Sequence, residues 1–256
     1  MASGGELSTS PVRSIVASRN LENLIVEEVS PPSESRIMDL KKGGSMGAER
    51  MRLLRMRLWE LRRLGPLKIV AITSSLPKDG KSTIAVNLST VLSDGKQHRV
   101  LLVESDLHCP GVGNILRIPK NPGLAECLEK GVDPFVCIRR IEPLGFYLLQ
   151  AGMAEGHPTD LIQSDALPDL LSSMAQYFDW VVLDTPPVFP VADTMSLCQA
   201  SDAVLLVVRS GVTPKDSVNE AIEMIGSNRI AGLILNGAEE INKSYYKYSS
   251  YYGTKK

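Results

Sequence analysis

The sequence predicts an α/β fold: a doubly wound, mostly parallel β-sheet flanked by helices on both faces. Two observations carry that expectation. Strand-sized segments such as "LKIVAITS" (67–74) and "DAVLLVVRS" (202–210) hold unbroken apolar runs, "IVAI" and "AVLLVV", so both sides of each strand must be buried. These runs alternate with stretches of helical length and helical apolar spacing, as a parallel sheet with crossover helices requires. With 256 residues, 43% of them hydrophobic, the chain can bury a substantial core, and no fixed-period repeat suggests a solenoid.

Residues 1–45 are rich in Ser, Glu, Pro and Gly, with "SPPSES" and "KKGG" as breakers, and read as a flexible N-terminal arm. Within it, "LENLIVEEV" (21–29) is expected to dock as one short element. "MGAERMRLLRMRLWELRRLG" (46–65) reads as a helix, with Met51, Leu54, Leu58 and Leu61 at helical spacing and Gly65 and Pro66 closing it. A strand at "LKIVAITS", a helix at "GKSTIAVNLSTVLSD" (80–94) and a strand at "HRVLLVESD" (98–106) follow. Later strands are "FYLLQAG" (146–152), "DWVVLDTPP" (179–187), "DAVLLVVRS" and "RIAGLILNG" (229–237). Helices at "DALPDLLSSMAQYF" (165–178) and "PKDSVNEAIEMIGS" (214–227) separate them. The last stretch, "INKSYYKYSSYYGTKK" (241–256), holds five of the seven tyrosines: Tyr245, Tyr246, Tyr248, Tyr251 and Tyr252. The chain thus divides into an arm (1–45), a folded body (46–240) and a Tyr-rich tail (241–256).

A formal charge of −1 gives no global attraction to nucleic acid or anionic membrane, and no nucleic-acid partner is expected. Cys109, Cys127, Cys137 and Cys198 are too far apart for C-x-x-C chemistry and read as reduced thiols. The start has no apolar stretch of signal-peptide length, and the longest apolar runs are strand-sized, so no membrane span is expected.

"SSLPKDGKST" (74–83) has most of the phosphate-cradling pattern G-x-x-x-x-G-K-S/T. Gly80, Lys81 and Ser82 match it, and Ser75 stands where the first glycine is expected. The segment lies between a predicted strand and a predicted helix, where unpaired amides and the positive end of the helix dipole bind phosphate. Ser75, Lys78, Asp79, Gly80, Lys81, Ser82 and Thr83 are the candidate nucleotide-binding residues. Lys81 would add charge at the outer phosphates and Ser82 a hydroxyl for Mg²⁺. Metal binding also needs carboxylates at neighbouring strand ends. Asp184, in "VVLDTPP", and the pair Glu104 and Asp106, in "VLLVESDLH", are the candidates.

With these segments in hand, residues 46 to the C-terminus resemble the cytoplasmic domain of bacterial tyrosine kinases (BY-kinases), autokinases of capsule and exopolysaccharide synthesis. "SSLPKDGKS" matches that family's loop S-x-x-P-x-x-G-K-S, and "VVLDTPP" its Walker B segment. "NPGLAECL", "HPTDLIQSDALPDLL", "PVADT" and "LLVVRSGVT" are further likenesses. "ERMRLLR" fits the family's E-x-x-R-x-x-R helix with Glu49, Arg52 and Arg55, which the resemblance assigns to subunit contacts in a ring. The tail resembles the family's autophosphorylation cluster.

The second Walker segment departs from the family's D-x-D-x-R. Glu104 replaces the first Asp, His108 the Arg, and Cys109 a position that is often basic. A longer carboxylate disturbs octahedral Mg²⁺ geometry, and an imidazole lacks the guanidinium fork, so contact to phosphate or to a neighbouring subunit is expected to weaken.

The resemblance implies a P-loop fold using ATP and Mg²⁺. Lys81, Asp106 and Asp184 are the expected catalytic residues, Ser82, Glu104, Asp106 and Asp184 the metal ligands, and Asn236 the base contact. It also implies trans-phosphorylation of tail tyrosines between copies of the chain, a transmembrane polysaccharide co-polymerase as activating adaptor, and a phosphotyrosine phosphatase as antagonist. Such a protein sits at the inner face of the cell membrane through its partner. Two other readings stay open. One is a non-catalytic ATP-binding regulator. The other is a partitioning or positioning ATPase of the same superfold, although its signature lysine falls on Leu76 here.

Overall fold

The computed structural model of the chain describes residues 21–32, 36–37 and 46–238. Eight strands form one sheet: β1 (Ile25–Glu28), β2 (Ile69–Ser74), β3 (Val100–Glu104), β4 (Arg139–Glu142), β5 (Phe146–Leu149), β6 (Trp180–Asp184), β7 (Ala203–Arg209) and β8 (Ile230–Asn236). Their spatial order is β1-β4-β5-β3-β6-β2-β7-β8, and every neighbouring pair is parallel except β4 with β5. The helices are α1 (Met46–Leu64), α2 (Lys81–Ser93), α3 (Val112–Leu116), α4 (Leu124–Lys130), α5 (Pro134–Cys137), α6 (Pro158–Ile162), α7 (Ala166–Tyr177), α8 (Asp193–Gln199) and α9 (Lys215–Ile225). The mostly parallel sheet with helices on both faces is the architecture expected from the sequence.

The continuous apolar runs have the reason anticipated for them. Successive side chains of a strand point to opposite faces, and the central strands feed two cores. Ala71, Leu101, Val103, Val181 and Leu183 join one core with Leu124, Ile162, Leu171 and Leu197 from α4, α6, α7 and α8. Val70, Ile72, Leu102, Trp180 and Val182 join the other with Met51 and Leu58 from α1 and Ile84 and Leu88 from α2. Polar residues on these strands are confined to their carboxyl ends, where Thr73 donates to Pro186 O and Glu104 accepts from Val112 N and Ala151 N.

Two strands escaped the sequence reading. β4, "RRIE", is short and polar, and becomes a strand because Gly145 turns the chain and lets it pair antiparallel with β5. β1 then covers the outer edge of β4, with Val29 N donating to Glu142 O at 2.8 Å and Leu21 and Val29 buried. The expectation of a flexible arm over 1–45 is therefore corrected for residues 21–32. An open strand edge offers amides and carbonyls to any chain that can reach it, and the expected docking element supplies the pairing. The rest of the arm, at 1–20, 33–35 and 38–45, and the tail from 239 lie outside the described residues.

α1 packs Ala48, Met51 and Leu58 inward, and its Trp59 meets Trp180 edge-on at 5.3 Å. Arg62 lies over the Trp180 ring at 4.8 Å and donates to Asp179 O at 2.7 Å, fixing the helix end to the start of β6. Leu61, expected on the buried stripe, is exposed, while Arg62 beside it takes the contact with Trp180. All four cysteines are free thiols, as expected, and only Cys109 is exposed.

Leu58 is the largest fully buried side chain of α1, at 1% exposure. Leu58→Ala is expected to destabilise the protein by about 2–5 kcal/mol through the cavity it leaves under the helix, measured by urea unfolding.

Candidate nucleotide and phosphoryl-transfer site

β2 lies at the point where strand order reverses: chain continuations go to β6 and β3 on one side and to β7 and β8 on the other. Ligands of open α/β sheets bind at the carboxyl ends of strands at such a point. There the chain leaves Ser74, runs through residues 75–80 and enters α2. Gly80 caps α2 at φ +97° and supplies no side chain to the first-turn amides, which are left for a ligand. A Cβ at Gly80 would run into the Asn236 amide nitrogen, so glycine is required by space as well as by backbone conformation. Lys78 also has positive φ and is exposed, while Thr83 is half-buried.

The loop is braced from behind. Asn236 Nδ2, at the end of β8, donates to Asp79 O at 2.8 Å. The Thr213 hydroxyl donates to Asp79 Oδ1 at 2.8 Å and accepts from Arg209 N at 2.9 Å. On the other flank, Val188 N and Phe189 N donate to Ser74 O and Ser75 O at 2.8 and 3.1 Å. Ser75 is fully buried and its hydroxyl has no partner among the described residues. The residue at the first-glycine position therefore packs into the loop's base.

Lys81 opens α2, and its ammonium is 11% exposed. Nζ lies 2.9 Å from Asp106 Oδ2, 3.9 Å from Asp184 Oδ1 and 3.4 Å from the Ser82 hydroxyl. Burial alone would lower the Lys81 pKa, but Asp184, Asp106 and Glu104 together hold it above its ordinary value. Asp106 Oδ1 accepts from Cys109 N at 2.9 Å, closing a tight turn after β3. Asp184 ends β6 fully buried, and neither of its oxygens has a hydrogen-bond partner among the described residues. Burial raises its pKa to about 6 against the pull of Lys81 and the nearby Ser82 hydroxyl, while Glu104 and Asp106 push the same way as burial.

Glu104 does not take the place expected of a metal ligand. Its Oε1 accepts from Val112 N at 2.7 Å and its Oε2 from Ala151 N at 3.1 Å. Burial raises its pKa, and these amides oppose the rise. The extra methylene carries the carboxylate past the strand end to the start of α3 and to the residues after β5, so it ties two loops together instead of facing Lys81.

No protein-family model matches the chain. It is 30% identical over 225 residues to the tyrosine-protein kinase YwqD of Bacillus subtilis (strain 168), covering 87% of this chain and 93% of that relative. The chain belongs to the bacterial tyrosine-protein kinases. It is also 31% identical over 195 residues to the succinoglycan biosynthesis transport protein ExoP of Rhizobium meliloti (strain 1021), matching 74% of this chain but 24% of that longer protein. Among solved structures, the chimerical protein CapA2B2 superposes with a TM-score of 0.73 at 27% identity, over 84% of this chain and 95% of that one.

Of the kinase residues expected from the sequence, the fold brings Lys81, Ser82, Asp106 and Asp184 to one edge and puts Glu104 behind them. Asn236 stands against the loop through its amide nitrogen. On α1, Glu49 pairs with Arg52 one turn on. Arg55, expected at a subunit contact, is bound inside its own subunit: it pairs with Asp94 at 2.7 Å and donates to Val91 O at 3.2 Å at the C-terminal end of α2. That helix end is negative, which holds the guanidinium there. Tyr245, Tyr246, Tyr248, Tyr251 and Tyr252 lie outside the described residues. The sequence reading missed the Arg209–Thr213 brace and a contact between His108 and Asp193; "LLVVRSGVT" and "PVADT" hold three of these residues, but nothing in those strings says which loop they touch.

The raised pKa of Asp184 has a measurable cost. Its native state holds a proton more tightly than the unfolded chain, whose value is near the ordinary 3.8. Its contribution to stability is therefore fully present below that value and is lost as pH rises through about 6. Asp184→Asn is expected to be more stable than the unliganded parent at pH 8 by about 1–3 kcal/mol. The advantage should vanish as pH falls through 6 towards 4, a comparison that urea unfolding across that range makes directly.

Proposed function

We propose that this chain is an ATP-dependent protein-tyrosine autokinase that phosphorylates the C-terminal tyrosines of a neighbouring copy and thereby regulates exopolysaccharide or capsule synthesis and export. The observation that carries this reading is Lys81, held between Asp106 and the unpartnered Asp184 at the mouth of a P-loop helix, in a chain akin to tyrosine kinases.

The residues fit Mg²⁺. One buried ammonium is shared by Asp106 and Asp184, and neither oxygen of Asp184 has a hydrogen-bond partner among the described residues. Among the described residues no group of three or more His, Cys, Asp or Glu could hold a metal by itself. Mg²⁺ characteristically takes one or two protein carboxylates and completes its shell with phosphate and water. Ser82, Asp106 and Asp184 would hold it, and when bound it would neutralise charge on the phosphate oxygens.

The first-turn amides of α2, with Thr83 in that turn and the loop of Ser75, Lys78, Asp79 and Gly80, would hold the phosphates of ATP, and Asn236 would contact its base. Lys81 turns from Asp106 to the outer phosphates, and the freed carboxylate is then available as a proton acceptor. A phenol with an unperturbed pKa near ~10 arrives protonated. Its oxygen bonds to the γ-phosphorus as Asp106 takes the proton, the bond to the β,γ-bridging oxygen breaks, and ADP leaves.

The acceptor comes from another copy. The surface of α1 that would join copies carries Glu49, Arg52 and the exposed Leu53 and Met56, with Arg55 supporting it from within. Residues 46–240 form the catalytic body and 241–256 the substrate tail. No helix of the described residues is long and apolar enough to cross a membrane. A transmembrane polysaccharide co-polymerase would supply the activating segment and hold the kinase at the inner membrane face, and a phosphotyrosine phosphatase would reset it.

Incubation of the full chain with labelled ATP and Mg²⁺, with and without such a segment, should place label on tail tyrosines. Lys81→Met is expected to reduce labelling on the order of 10³-fold, and replacing the five tail tyrosines with phenylalanine should remove it. Undiminished labelling of the phenylalanine variant would overturn the reading.

Each phosphotyrosine adds roughly −1.5 to −2 charges, so fully modified tails gathered in one assembly repel. Fully phosphorylated protein is expected to sediment as a smaller species than phosphatase-treated protein, and the difference should shrink at high salt.

A further inference from the structure

Position 108 stands where the related motif carries arginine, and the sequence suggested a weakened contact to phosphate. The side chain is engaged elsewhere. His108 Nε2 lies 2.7 Å from Asp193 Oδ2, and the Asp193 side chain is 1% exposed. A carboxylate oxygen accepts, so Nε2 is the donor. Asp193 opens α8, and the next residue fixes that helix to the segment following Asp184: the Thr194 hydroxyl lies 3.1 Å from Pro186 O and 2.9 Å from Pro187 O. His108 lies two residues beyond Asp106, in the turn that Cys109 N closes on Asp106 Oδ1. The contact thus joins the turn carrying Asp106 to the segment following Asp184, across the site.

Asp193 has a second oxygen, Oδ1, buried with no hydrogen-bond partner among the described residues. Through Nε2 an imidazole offers one N–H. A guanidinium offers two, in a planar fork that matches both oxygens of a carboxylate.

We propose that His108 and Asp193 form a latch that positions Asp106 for phosphoryl transfer, and that the unpartnered oxygen of Asp193 is the second seat of a guanidinium. His108 is then a positioning residue, one hydrogen bond short of the arginine version, and its carboxylate partner is in the same subunit. The turn from Asp106 to Cys109 is closed on itself, so displacement of His108 is passed to the Asp106 carboxylate. The latch rests on the kinase reading for its catalytic consequence and on geometry alone for its mechanical one.

The test compares the full chain with His108→Ala and His108→Arg, reading kcat for tail phosphorylation, KM for ATP, and amide hydrogen exchange of residues 107–111. His108→Ala is expected to lower kcat roughly 10- to 100-fold, leave KM for ATP within about threefold, and speed exchange. His108→Arg is expected to keep kcat within about threefold and slow exchange, because both oxygens of Asp193 are then engaged. Unchanged kcat in His108→Ala overturns the latch. So does a gain on the order of 10³-fold in His108→Arg, which would put the guanidinium on the transferring phosphate. If His108→Ala does not fold, His108→Leu, which fills the volume without a donor, is read in the same way. If the parent labels no tyrosine even with the activating segment present, the kinase reading fails, and hydrogen exchange alone then decides the latch: equal rates at 107–111 in all three proteins overturn it.

Discussion

Lys81 brings one positive charge to three buried carboxylates, and much of the site depends on how that imbalance is managed. Burying an unpaired carboxylate costs several kcal/mol. The fold meets part of this cost by tying Glu104 to two backbone amides, and part by closing the turn at Asp106 onto Cys109 N while its other oxygen meets Lys81. Asp184 is left with an ammonium 3.9 Å away and no hydrogen bond. Such a group adds nothing to stability, and the proposed Mg²⁺ and phosphate site gives it a use.

The sheet topology makes that concentration of charge possible. β2, β3 and β6 lie side by side because the chain crosses from β2 to β3 and later returns to lay β6 between them. Three strand ends that are far apart in sequence therefore open onto the same edge, and both faces below them are filled with apolar side chains. On the other side of β2, the ends of β7 and β8 bring Arg209, Thr213 and Asn236 against the loop from behind. The amides of the loop are thus presented by a frame anchored on both flanks, which would spare the proposed phosphate site reorganisation on binding.

The two departures from the motif that the sequence resembles are absorbed within the fold of this chain. Glutamate in place of aspartate at 104 reaches a different pair of donors and becomes an anchor between loops. Histidine in place of arginine at 108 finds a buried carboxylate. Both side chains find partners inside the subunit, although His108 engages only one of the two oxygens of Asp193.

The strands feeding both cores, the helices between them and the phosphate loop were legible in the sequence, because burial on two faces and helix entry impose local patterns of apolar spacing, Gly80 and Lys81. β1 and β4 were not, because "RRIE" becomes a strand only by pairing with β5 and "IVEE" only by reaching the edge of β4. Asp106 and Asp184 were legible as strand-end acids following apolar runs. The anchoring of Glu104, the inward pairing of Arg55 with Asp94, and the meeting of His108 with Asp193 were decided by tertiary structure alone. Each depends on which donor or charge another part of the chain brings within hydrogen-bond reach, and residue type and spacing along one segment carry no record of that.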